Sequence, residues 1–505
     1  MRLARLLDDA GLGGDHVVEG AGEAQVTGFA IDHRKVAPGT VFGAFQGSRV
    51  NGEDFIAAAV EAGAVAIVAR PEAAVAGALH IAAEEPRRAF AALAAGFFTP
   101  TPETVVAVTG TNGKTSTVEM TRQLWRMAGV RAASIGTLGV TTPDESVSTG
   151  LTTPDIVTFL ANMSGLAREG VTHVAYEASS HGLSQFRNEG LRVTAGAFTN
   201  FSRDHLDYHA DMEDYFAAKM RLFTEVVEPG GTAIIWSGAL AGTGPDRPNG
   251  HGKWTDRAAE HARESGLRVL TVGEQGDYIR LLARTPTQLG QELTVEHDRQ
   301  QRTIRLPLIG EYQAANALTA AALVLATGGD AGLVFDGVAR LQPVRGRLER
   351  AVITPAGAPV YIDYAHTPDA LEAAIAALRA HTEGDLIAVF GAGGDRDQGK
   401  RAEMGRAAAS QADIVIVTDD NPRGENPASI RKSVLEGAAG AQEVGDRREA
   451  IAAAIARAGP QDIVLIAGKG HEQGQIVGSG ENMRILPFDD VAVARECAAA
   501  QGQPA

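Results

Sequence analysis

The chain has 505 residues, too many for one hydrophobic core, and about 150 residues per domain predicts three domains. Hydrophobic residues make up 44% and charged residues 21%, as in ordinary globular proteins, and the net charge of −16 argues against a non-specific binder of nucleic acid or anionic membranes. A single cysteine, Cys497, excludes a disulfide framework and a cysteine-based zinc site and fits the reducing cytoplasm, and no apolar run is long enough for a signal peptide or a membrane span.

Short apolar runs rich in β-branched residues alternate with Ala- and Leu-rich helical stretches, which predicts an α/β protein with parallel sheets buried on both faces. Residues 1–98 form a small mixed N-terminal domain that ends at the proline-rich "FFTPTPE". Residues 99–343 form a central domain with a glycine-rich loop. After "LQPVRGRLER" the strand–helix alternation restarts and predicts a Rossmann-like domain over 344–505. Residues 238–260, rich in Gly, Pro and charge, are expected to be a surface excursion of the central domain.

The most polar, glycine-rich strings directly follow predicted strands. In open parallel sheets, ligands bind outside the carboxyl ends of the strands, so these strings predict active-site loops. Seven of them occur, "TGTNGKTS", "EASSHG", "TNFSRDH", "DYAHTPD", "GAGGDRDQGK", "TDDNPRGENP" and "AGKGHE".

The string "VAVTGTNGKTSTVEM" predicts a phosphate-binding loop between a strand and a helix. Gly110 and Gly113 allow backbone N–H groups to surround phosphate oxygens, and the helix N-terminus adds positive potential. Lys114 can reach the β- and γ-phosphates and the Thr115 hydroxyl can bind Mg²⁺. The spacing of the glycines differs from the usual G-x-x-x-x-G-K-[ST] pattern, and a tight strand–helix turn is the structural alternative. We favour ATP binding, in a central domain similar to phosphate-loop ATPases.

The next two strings contain candidate metal ligands. Glu177 ends a strand, where a carboxylate serves either as a Mg²⁺ ligand or as a structural cap. His205, Asp207 and His209 could also hold a metal, although their spacing matches no established zinc site. Lys219, in the following helix, is by its pattern an ordinary amphipathic-helix lysine.

The C-terminal strings contain charged side chains beside glycines. Arg396 and Lys400 suit a carboxylate or phosphate, and the absence of a complete G-x-G-x-x-G pattern argues against a dinucleotide site. Glu472 could accept a hydrogen bond from an ammonium group. Arg423 follows an Asn-Pro step and, considered alone, belongs to a surface turn.

Together these strings resemble the Mur ligase family, the ATP-dependent amide-bond-forming enzymes of peptidoglycan assembly, over nearly the whole chain. They are most similar to the member that adds meso-diaminopimelate as the third residue. The resemblance implies that ATP activates the D-glutamate side-chain carboxylate of UDP-N-acetylmuramoyl-L-Ala-D-Glu as an acyl phosphate, which the incoming amine then attacks. It further implies a cytoplasmic monomer without nucleic-acid partners or membrane insertion.

The resemblance also implies binding residues. Those for the UDP-muramoyl-dipeptide are Ile31, His33, Ser48, Arg49, Val50, Thr152, Thr153, Ser179, Gln185 and Arg187. Those for ATP are Gly110, Thr111, Asn112, Gly113, Lys114, Thr115, Ser116, Asn316, Arg347 and Asp363. Those for diaminopimelate are Arg396, Asp420, Asn421, Pro422, Arg423, Gly468 and Glu472.

By the same resemblance, CO₂ carbamylates Lys219, and the carbamate binds Mg²⁺ together with Thr115, Glu177 and His205. Lys114, Lys219, Glu177 and His205 are therefore the expected catalytic residues. Because diaminopimelate differs from lysine by a second carboxylate, the planar guanidinium of Arg423 is a suitable bidentate partner.

Three positions depart from the family pattern: His33 replaces a frequent serine, and Leu151 and Gln313 replace frequent asparagines. Four alternatives stay open on the sequence. They are a folylpolyglutamate synthase, a ligase that adds lysine at the same step, a phosphate-loop ATPase that moves a protein partner, and a non-catalytic sensor of muramoyl peptides.

Overall fold

The structure of the protein is a computed structural model that describes residues 1–12, 23–47, 50–147, 152–238, 251–287 and 290–501. The chain folds into two compact units. The first unit comprises Met1–Ala107, Val130–Gly196 and Ala218–Gly231. The second unit comprises Val108–Gly129, Ala197–Ala217 and Thr232–Ala505. Among the described residues, no helix is both long enough and apolar enough to cross a membrane.

The N-terminal part of the first unit is a small parallel sheet with helices. Its elements are α1 (Leu3–Asp9), β1 (Gly28–Ala30), β2 (Thr40–Gly43), α2 (Ile56–Glu61), β3 (Ala64–Ala69), β4 (Leu79–Ala82) and α3 (Pro86–Phe97). The strands pair in the order β1-β2-β3-β4, all parallel. Pro86 starts α3 at a position where its missing N–H costs nothing.

The remainder of the first unit holds β6 (Ala132–Gly136), β7 (Gly139–Thr141), β8 (Ser146–Val147), α5 (Ile156–Arg168), β9 (His173–Glu177), α6 (Ser180–Ser184) and a π-helical turn (Leu222–Val226). Strands β6 and β9 are parallel, whereas β7 pairs antiparallel with β6 and β8. Helix α5 begins where the Asp155 side chain accepts two backbone N–H groups. Four elements continue from one unit into the other: β5 (Thr104–Thr109), β10 (Val193–Phe198), α7 (Met212–Arg221) and β11 (Val227–Trp236).

The second unit begins with α4 (Lys114–Met127) and continues with α8 (His251–Glu264), β12 (Arg268–Gly273), β13 (Ile279–Thr287), β14 (Gly290–His297), β15 (Gln300–Leu306), α9 (Glu311–Ala326) and α10 (Ala331–Val338). The predicted surface excursion at 238–260 is wrong from His251 onward, where α8 begins; residues 239–250 lie outside the described residues. Trp254 of α8 is buried against Phe201 and Phe216, with ring centroids 4.7 and 4.8 Å apart. These aromatic contacts are not evident from the Gly- and Pro-rich composition.

The C-terminal part of the second unit is a six-stranded sheet in the order β16-β17-β21-β18-β19-β20, parallel except for the β16–β17 pair. Its strands are β16 (Glu349–Ile353), β17 (Pro359–Asp363), β18 (Leu386–Phe390), β19 (Ile414–Val417), β20 (Gln442–Glu443) and β21 (Ile463–Ala467). Its helices are α11 (Pro368–Arg379), α12 (Lys400–Ala409), α13 (Pro427–Leu435), α14 (Arg447–Arg457) and α15 (Asp490–Gln501). A separate antiparallel hairpin is formed by β22 (Gly474–Val477) and β23 (Arg484–Pro487).

Strand β18 shows why these strands consist of continuous apolar runs. Leu386, Ala388 and Phe390 belong to one buried cluster, whereas Ile387 and Val389 belong to another. Because successive side chains point to opposite faces, both faces of the sheet are covered. All seven polar strings follow the carboxyl ends of strands, as predicted. Four of them follow β17, β18, β19 and β21, which are parallel, so these four strings share one edge of the sheet.

Candidate functional site

The glycine-rich loop joins β5 to α4 with its predicted residues in a compact turn. Lys114 Nζ donates to the carbonyl oxygens of Gly110 and Thr111, at 2.9 and 2.8 Å. Position 113 requires glycine, because its φ is +84° and an added Cβ would lie 2.4 Å from Asn316 Oδ1. The loop therefore places backbone N–H groups and a lysine at a helix N-terminus, which is the chemistry of a phosphate site.

One further predicted ATP residue, Arg347, contacts this loop, and a second, Asp363, contacts the segment that carries Arg347. Arg347 Nη2 donates to Thr115 Oγ1 at 3.1 Å, and the guanidinium stacks on the Tyr364 ring with its carbon 4.4 Å from the centroid. Asp363 is buried and accepts the backbone N–H groups of Leu348 and Ala365, at 2.7 and 2.8 Å. Burial raises the pKa of Asp363, and these hydrogen bonds oppose that rise.

Gln313, one of the departures from the family pattern, has a structural role in the second unit. Its side chain is buried and donates to the backbone oxygen of Arg347 at 3.0 Å. Its Oε1 also accepts from Asn316 Nδ2 at 3.4 Å. The longer amide thus connects α9 with the segment that carries Arg347.

The second unit brings three polar strings together at Asp204, which the sequence interpretation missed. Lys400 Nζ lies 3.7 Å from its Oδ1, and Nε2 of His205 and of His366 lie 3.5 and 3.8 Å from its Oδ2. Burial alone would raise the pKa of Asp204, but these three groups hold the pKa well below its usual range. The only sequence signal for this site was its place beside His205.

Arg423 lies at the carboxyl edge of the C-terminal sheet in a left-handed backbone conformation, with φ of +50°. The hairpin holds it there, because Arg423 N donates to the oxygen of Ile476 at 3.0 Å and its own oxygen accepts from Gly478 N at 2.8 Å. Arg423 Nη1 donates to the oxygens of Gly394 and Asn421, at 3.0 and 3.4 Å. In the part of the chain that the structure describes, Arg423 forms no ion pair with a carboxylate.

The charges around Arg423 come from several strings. Burial, followed by the Arg396 cation, lowers the pKa of Arg423, whereas Asp420 and Glu472 raise it. Arg396 is half exposed, with Nη1 3.5 Å from Asp207 Oδ2. Pro422 is buried, and its carbonyl oxygen accepts from Glu425 N at 3.1 Å in the turn that follows. The charged side chains among the predicted diaminopimelate residues therefore form one cluster, with Arg423 and Arg396 on its cationic side and Asp420 and Glu472 on its anionic side.

The anionic side contains a network that the prediction included only in part. Asn421 Oδ1 accepts from Lys469 Nζ and from Ile476 N, both at 2.9 Å, and Asn421 Nδ2 donates to Glu472 Oε2 at 2.8 Å. Lys469 Nζ also lies 3.2 Å from Glu472 Oε2. Gly468 has φ of +113°, and an added Cβ would lie 2.5 Å from Asp420 Oδ2. The burial of Lys469 has no signature in the sequence.

In the first unit, four of the ten residues predicted to bind the dipeptide form one hydrogen-bonded cluster. Thr153 Oγ1 lies 2.9 Å from Ser179 Oγ and 3.0 Å from the oxygen of Glu177. Arg187 donates to Thr153 O at 2.9 Å and, through two nitrogens, to Gln185 Oε1 at 3.2 and 2.7 Å. Thr152 Oγ1 lies 3.1 Å from Thr137 Oγ1.

Gln185 and Arg187 line a cleft of the first unit with an empty volume of about 340 Å³, its solvent mouth included. Ile31 lines the same cleft, together with Arg87, which the sequence interpretation did not select. His33 stacks on Phe55 with ring centroids 4.4 Å apart, and Val50 is exposed. The predicted residues Ser48 and Arg49, and the departure at Leu151, lie outside the described residues.

The predicted metal ligands are divided between the two units. In the first unit, Glu177 is buried and accepts from Thr137 N at 2.7 Å, and Lys219 is 1% exposed. In the second unit, Thr115 is buried and His205 is partly exposed, with φ of +55°. Within the ranges that the structure describes, no group of three or more His, Cys, Asp or Glu side chains could hold a metal ion.

Three family models match the chain. They are the Mur ligase family catalytic domain over residues 25–98, the Mur ligase middle domain over 108–324 and the Mur ligase glutamate ligase domain over 346–470.

Curated relatives match nearly the whole chain. A protein of Zymomonas mobilis, named UDP-N-acetylmuramoyl-L-alanyl-D-glutamate–2,6-diaminopimelate ligase, is 60% identical over 471 residues, which cover 93% of this chain and 94% of that protein. A Bradyrhizobium diazoefficiens protein of the same name is 49% identical over 484 residues, which cover 95% of this chain and 96% of that protein.

Solved structures agree with this fold. A structure of a ligase with the same name is 30% identical, with a TM-score of 0.69 and full coverage of both chains. Folylpolyglutamate synthase of Mycobacterium tuberculosis complexed with ADP has a TM-score of 0.62 over 83% of this chain and 95% of that one. At 20% identity, this second likeness concerns the fold alone.

Proposed function

The chain belongs to the Mur ligase family, and we propose that it joins meso-2,6-diaminopimelate to UDP-N-acetylmuramoyl-L-Ala-D-Glu in an ATP-dependent reaction of peptidoglycan precursor synthesis. The environment of Arg423 is the observation that supports diaminopimelate as the amino acid that is added. Its guanidinium is held by backbone oxygens and forms no ion pair with a carboxylate of the described chain, so it has donors left for a ligand carboxylate. Lysine lacks the second carboxylate that such a guanidinium would bind.

The proposed reaction has two steps. The D-glutamate side-chain carboxylate attacks the γ-phosphorus of ATP, and the bond from this phosphorus to the bridging oxygen breaks. ADP is the leaving group, and the product is an acyl phosphate. An uncharged amino group of diaminopimelate then attacks the acyl carbon, loses a proton, and expels phosphate to form the amide. Lys114 at the glycine-rich loop offsets negative charge on the phosphates, and Thr111, Asn112 and Ser116 belong to the same proposed nucleotide site.

We further propose that Lys219 is carbamylated and that its carbamate binds Mg²⁺ with Glu177, Thr115 and His205. The donor set supports this, because carboxylate, carbamate and hydroxyl oxygens suit Mg²⁺ and the amine of Lys219 is buried away from water. An uncharged amine adds to CO₂ and loses a proton, which makes the side chain anionic. Bound Mg²⁺ supplies charge neutralisation at phosphate oxygens. Labelling with ¹³C-bicarbonate should give a carbamate carbon resonance that Lys219→Met removes.

We also propose a cytoplasmic monomer with domains over 1–98, 99–343 and 344–505. The use of ATP and of a nucleotide-linked substrate supports the compartment, and the residue ranges of the three family models support the division.

The central experiment measures phosphate release with ATP, Mg²⁺ and the UDP-muramoyl-dipeptide against a panel of amino acids. We expect turnover with meso-diaminopimelate and little with L-lysine. Equal rates with both would contradict the proposed specificity, and ATP hydrolysis that requires no amino acid would favour an ATPase switch.

Arg423→Ala tests the observation on which the choice of amino acid rests. This substitution should raise the KM for diaminopimelate at least about tenfold, the scale of one lost charge-assisted pair, and leave the KM for ATP unchanged. Arg406→Ala, which alters an exposed arginine of α12, is the matched control. A parallel rise in both KM values would assign Arg423 a structural role.

A further inference from the structure

Lys469 is a fully buried cation at the edge of the proposed amino-acid pocket, with an exposed fraction of 0%. Its ammonium donates to Asn421 Oδ1 at 2.9 Å and lies 3.2 Å from Glu472 Oε2. A buried lysine is retained in a fold only when nearby acceptors compensate its lost hydration. Asn421 and Glu472 therefore stabilise the buried charge of Lys469.

Lys469 also sets the orientation of the Asn421 amide. Asn421 Oδ1 receives two donors, Lys469 Nζ and the backbone N–H of Ile476, so the oxygen is fixed on that side. The amide nitrogen consequently points at Glu472 Oε2, 2.8 Å away. Two donors thus hold this one carboxylate oxygen, which leaves the carboxylate in a single orientation.

The charges of the pocket can be counted from these contacts. Asp420 and Glu472 are its anions, and Arg423 and Arg396 are two of its cations. Lys469 adds a third cation, placed directly against one of the anions. The first four charges sum to zero and Lys469 makes the sum positive, so removal of Lys469 would weaken the repulsion of a cationic ligand.

We propose that Lys469 is a specificity-determining residue, whose buried charge makes the pocket prefer a net-neutral diamino diacid over a net-cationic diamino monoacid. Meso-diaminopimelate carries two ammonium and two carboxylate groups, whereas L-lysine carries two ammonium groups and one carboxylate. The inference rests on the proposed function. It adds to the role of Arg423, because it concerns repulsion of the competing substrate as well as attraction of the correct one.

The test compares kcat/KM for meso-diaminopimelate with kcat/KM for L-lysine in three proteins. Lys469→Met removes the ammonium group but keeps an unbranched side chain, so the preference for diaminopimelate should fall about tenfold, which is about 1.4 kcal/mol. Glu472→Gln leaves Lys469 uncompensated, so the preference should rise. Lys432→Met, at an exposed lysine of α13, should leave the preference unchanged.

The opposite signs distinguish a charge effect from a structural one. A Lys469 that only supports the fold would lower turnover with both amino acids alike in Lys469→Met and leave the ratio constant, which would overturn the proposal. Should Lys469→Met fail to fold, Glu472→Gln still decides, because an unchanged or lowered ratio contradicts the proposed charge balance. If the unmodified protein uses neither amino acid, the proposed function itself fails, which is a separate result.

Discussion

Two ion pairs join α14 to α15 at different depths and provide a matched test of buried and exposed charges. Arg447 and Asp490 are 1% and 0% exposed, and two parallel hydrogen bonds of 2.8 and 2.7 Å join them. Arg448 and Glu496 lie on the same two helices, 2.7 Å apart, but are 53% and 59% exposed. The perturbation is Asp490→Asn, with Glu496→Gln as its control.

The expected magnitudes follow from burial. Removal of Asp490 leaves the Arg447 guanidinium without a hydrogen-bonded carboxylate, with backbone acceptors at Ala467 O, 2.9 Å away, and Asp419 O, 3.4 Å away. Breaking a buried pair from one side typically costs about 3–5 kcal/mol. An exposed pair contributes about 0–1 kcal/mol, so Glu496→Gln should change the free energy of unfolding by no more than that.

Urea unfolding followed by circular dichroism measures both variants, with the slope of the transition checked for constancy. The double variant Arg447→Met/Asp490→Leu removes both charges, so it should lose much less stability than Asp490→Asn and Arg447→Met lose in sum. A loss below about 1 kcal/mol for Asp490→Asn, equal to that of Glu496→Gln, would refute the reasoning. Because Ala467 and Asp419 immediately precede Gly468 and Asp420 in the chain, Asp490→Asn should also raise the KM for diaminopimelate.

Three further predictions concern other parts of the chain. Gly113→Ala should raise the KM for ATP at least about tenfold, because its Cβ would meet a side-chain oxygen at 2.4 Å, whereas Gly129→Ala, also at positive φ but with open space around its Cβ, should not. Arg221 stacks on Phe186 at 3.9 Å, between two predicted dipeptide residues, so Arg221→Lys should raise the KM for the UDP-muramoyl-dipeptide and leave that for ATP unchanged. Burial, and then neighbouring cations, lower the pKa of His471 from 6.5 to about 3, so the unfolded chain binds the additional proton and stability falls as the pH falls below about 6.5. In urea titrations, the free energy of unfolding of His471→Gln should therefore fall by about 2 kcal/mol less than that of the unmodified protein between about pH 7 and pH 5. An equal fall in both proteins would contradict this assignment.

The strands and their polar ends could be predicted from the sequence because parallel strands covered on both faces consist of unbroken apolar runs. Runs such as "DLIAVF" occupy the strands expected of them, and the loops after them carry the charged residues. Helix α8 was missed because the burial of Trp254 depends on aromatic residues from distant segments. Periodicity within the segment does not reveal such partners.

The same limit applies to the candidate site. Asp204 meets Lys400 and His366 only through tertiary structure, and Lys469 looks in the sequence like a solvated loop lysine although it is fully buried. The interpretation of single strings identified which residue types were present, and the resemblance to a family suggested roles for many of them. Neither could show which cation neutralises which anion.

Arg423 shows why that pairing matters for function. The Asn-Pro step indicates a turn, but the left-handed conformation of Arg423 depends on two backbone hydrogen bonds with the β22–β23 hairpin. In the chain, α13, β20, α14 and β21 separate Arg423 from this hairpin. The hairpin also supplies the Ile476 N–H that fixes Asn421, which in turn orients Glu472. One element therefore positions both the cationic and the anionic side of the pocket. Selectivity for an amino acid is consequently a property of the turn, the buried lysine and the hairpin together, and transfer of the D-N-P-R string alone to another ligase should not transfer it.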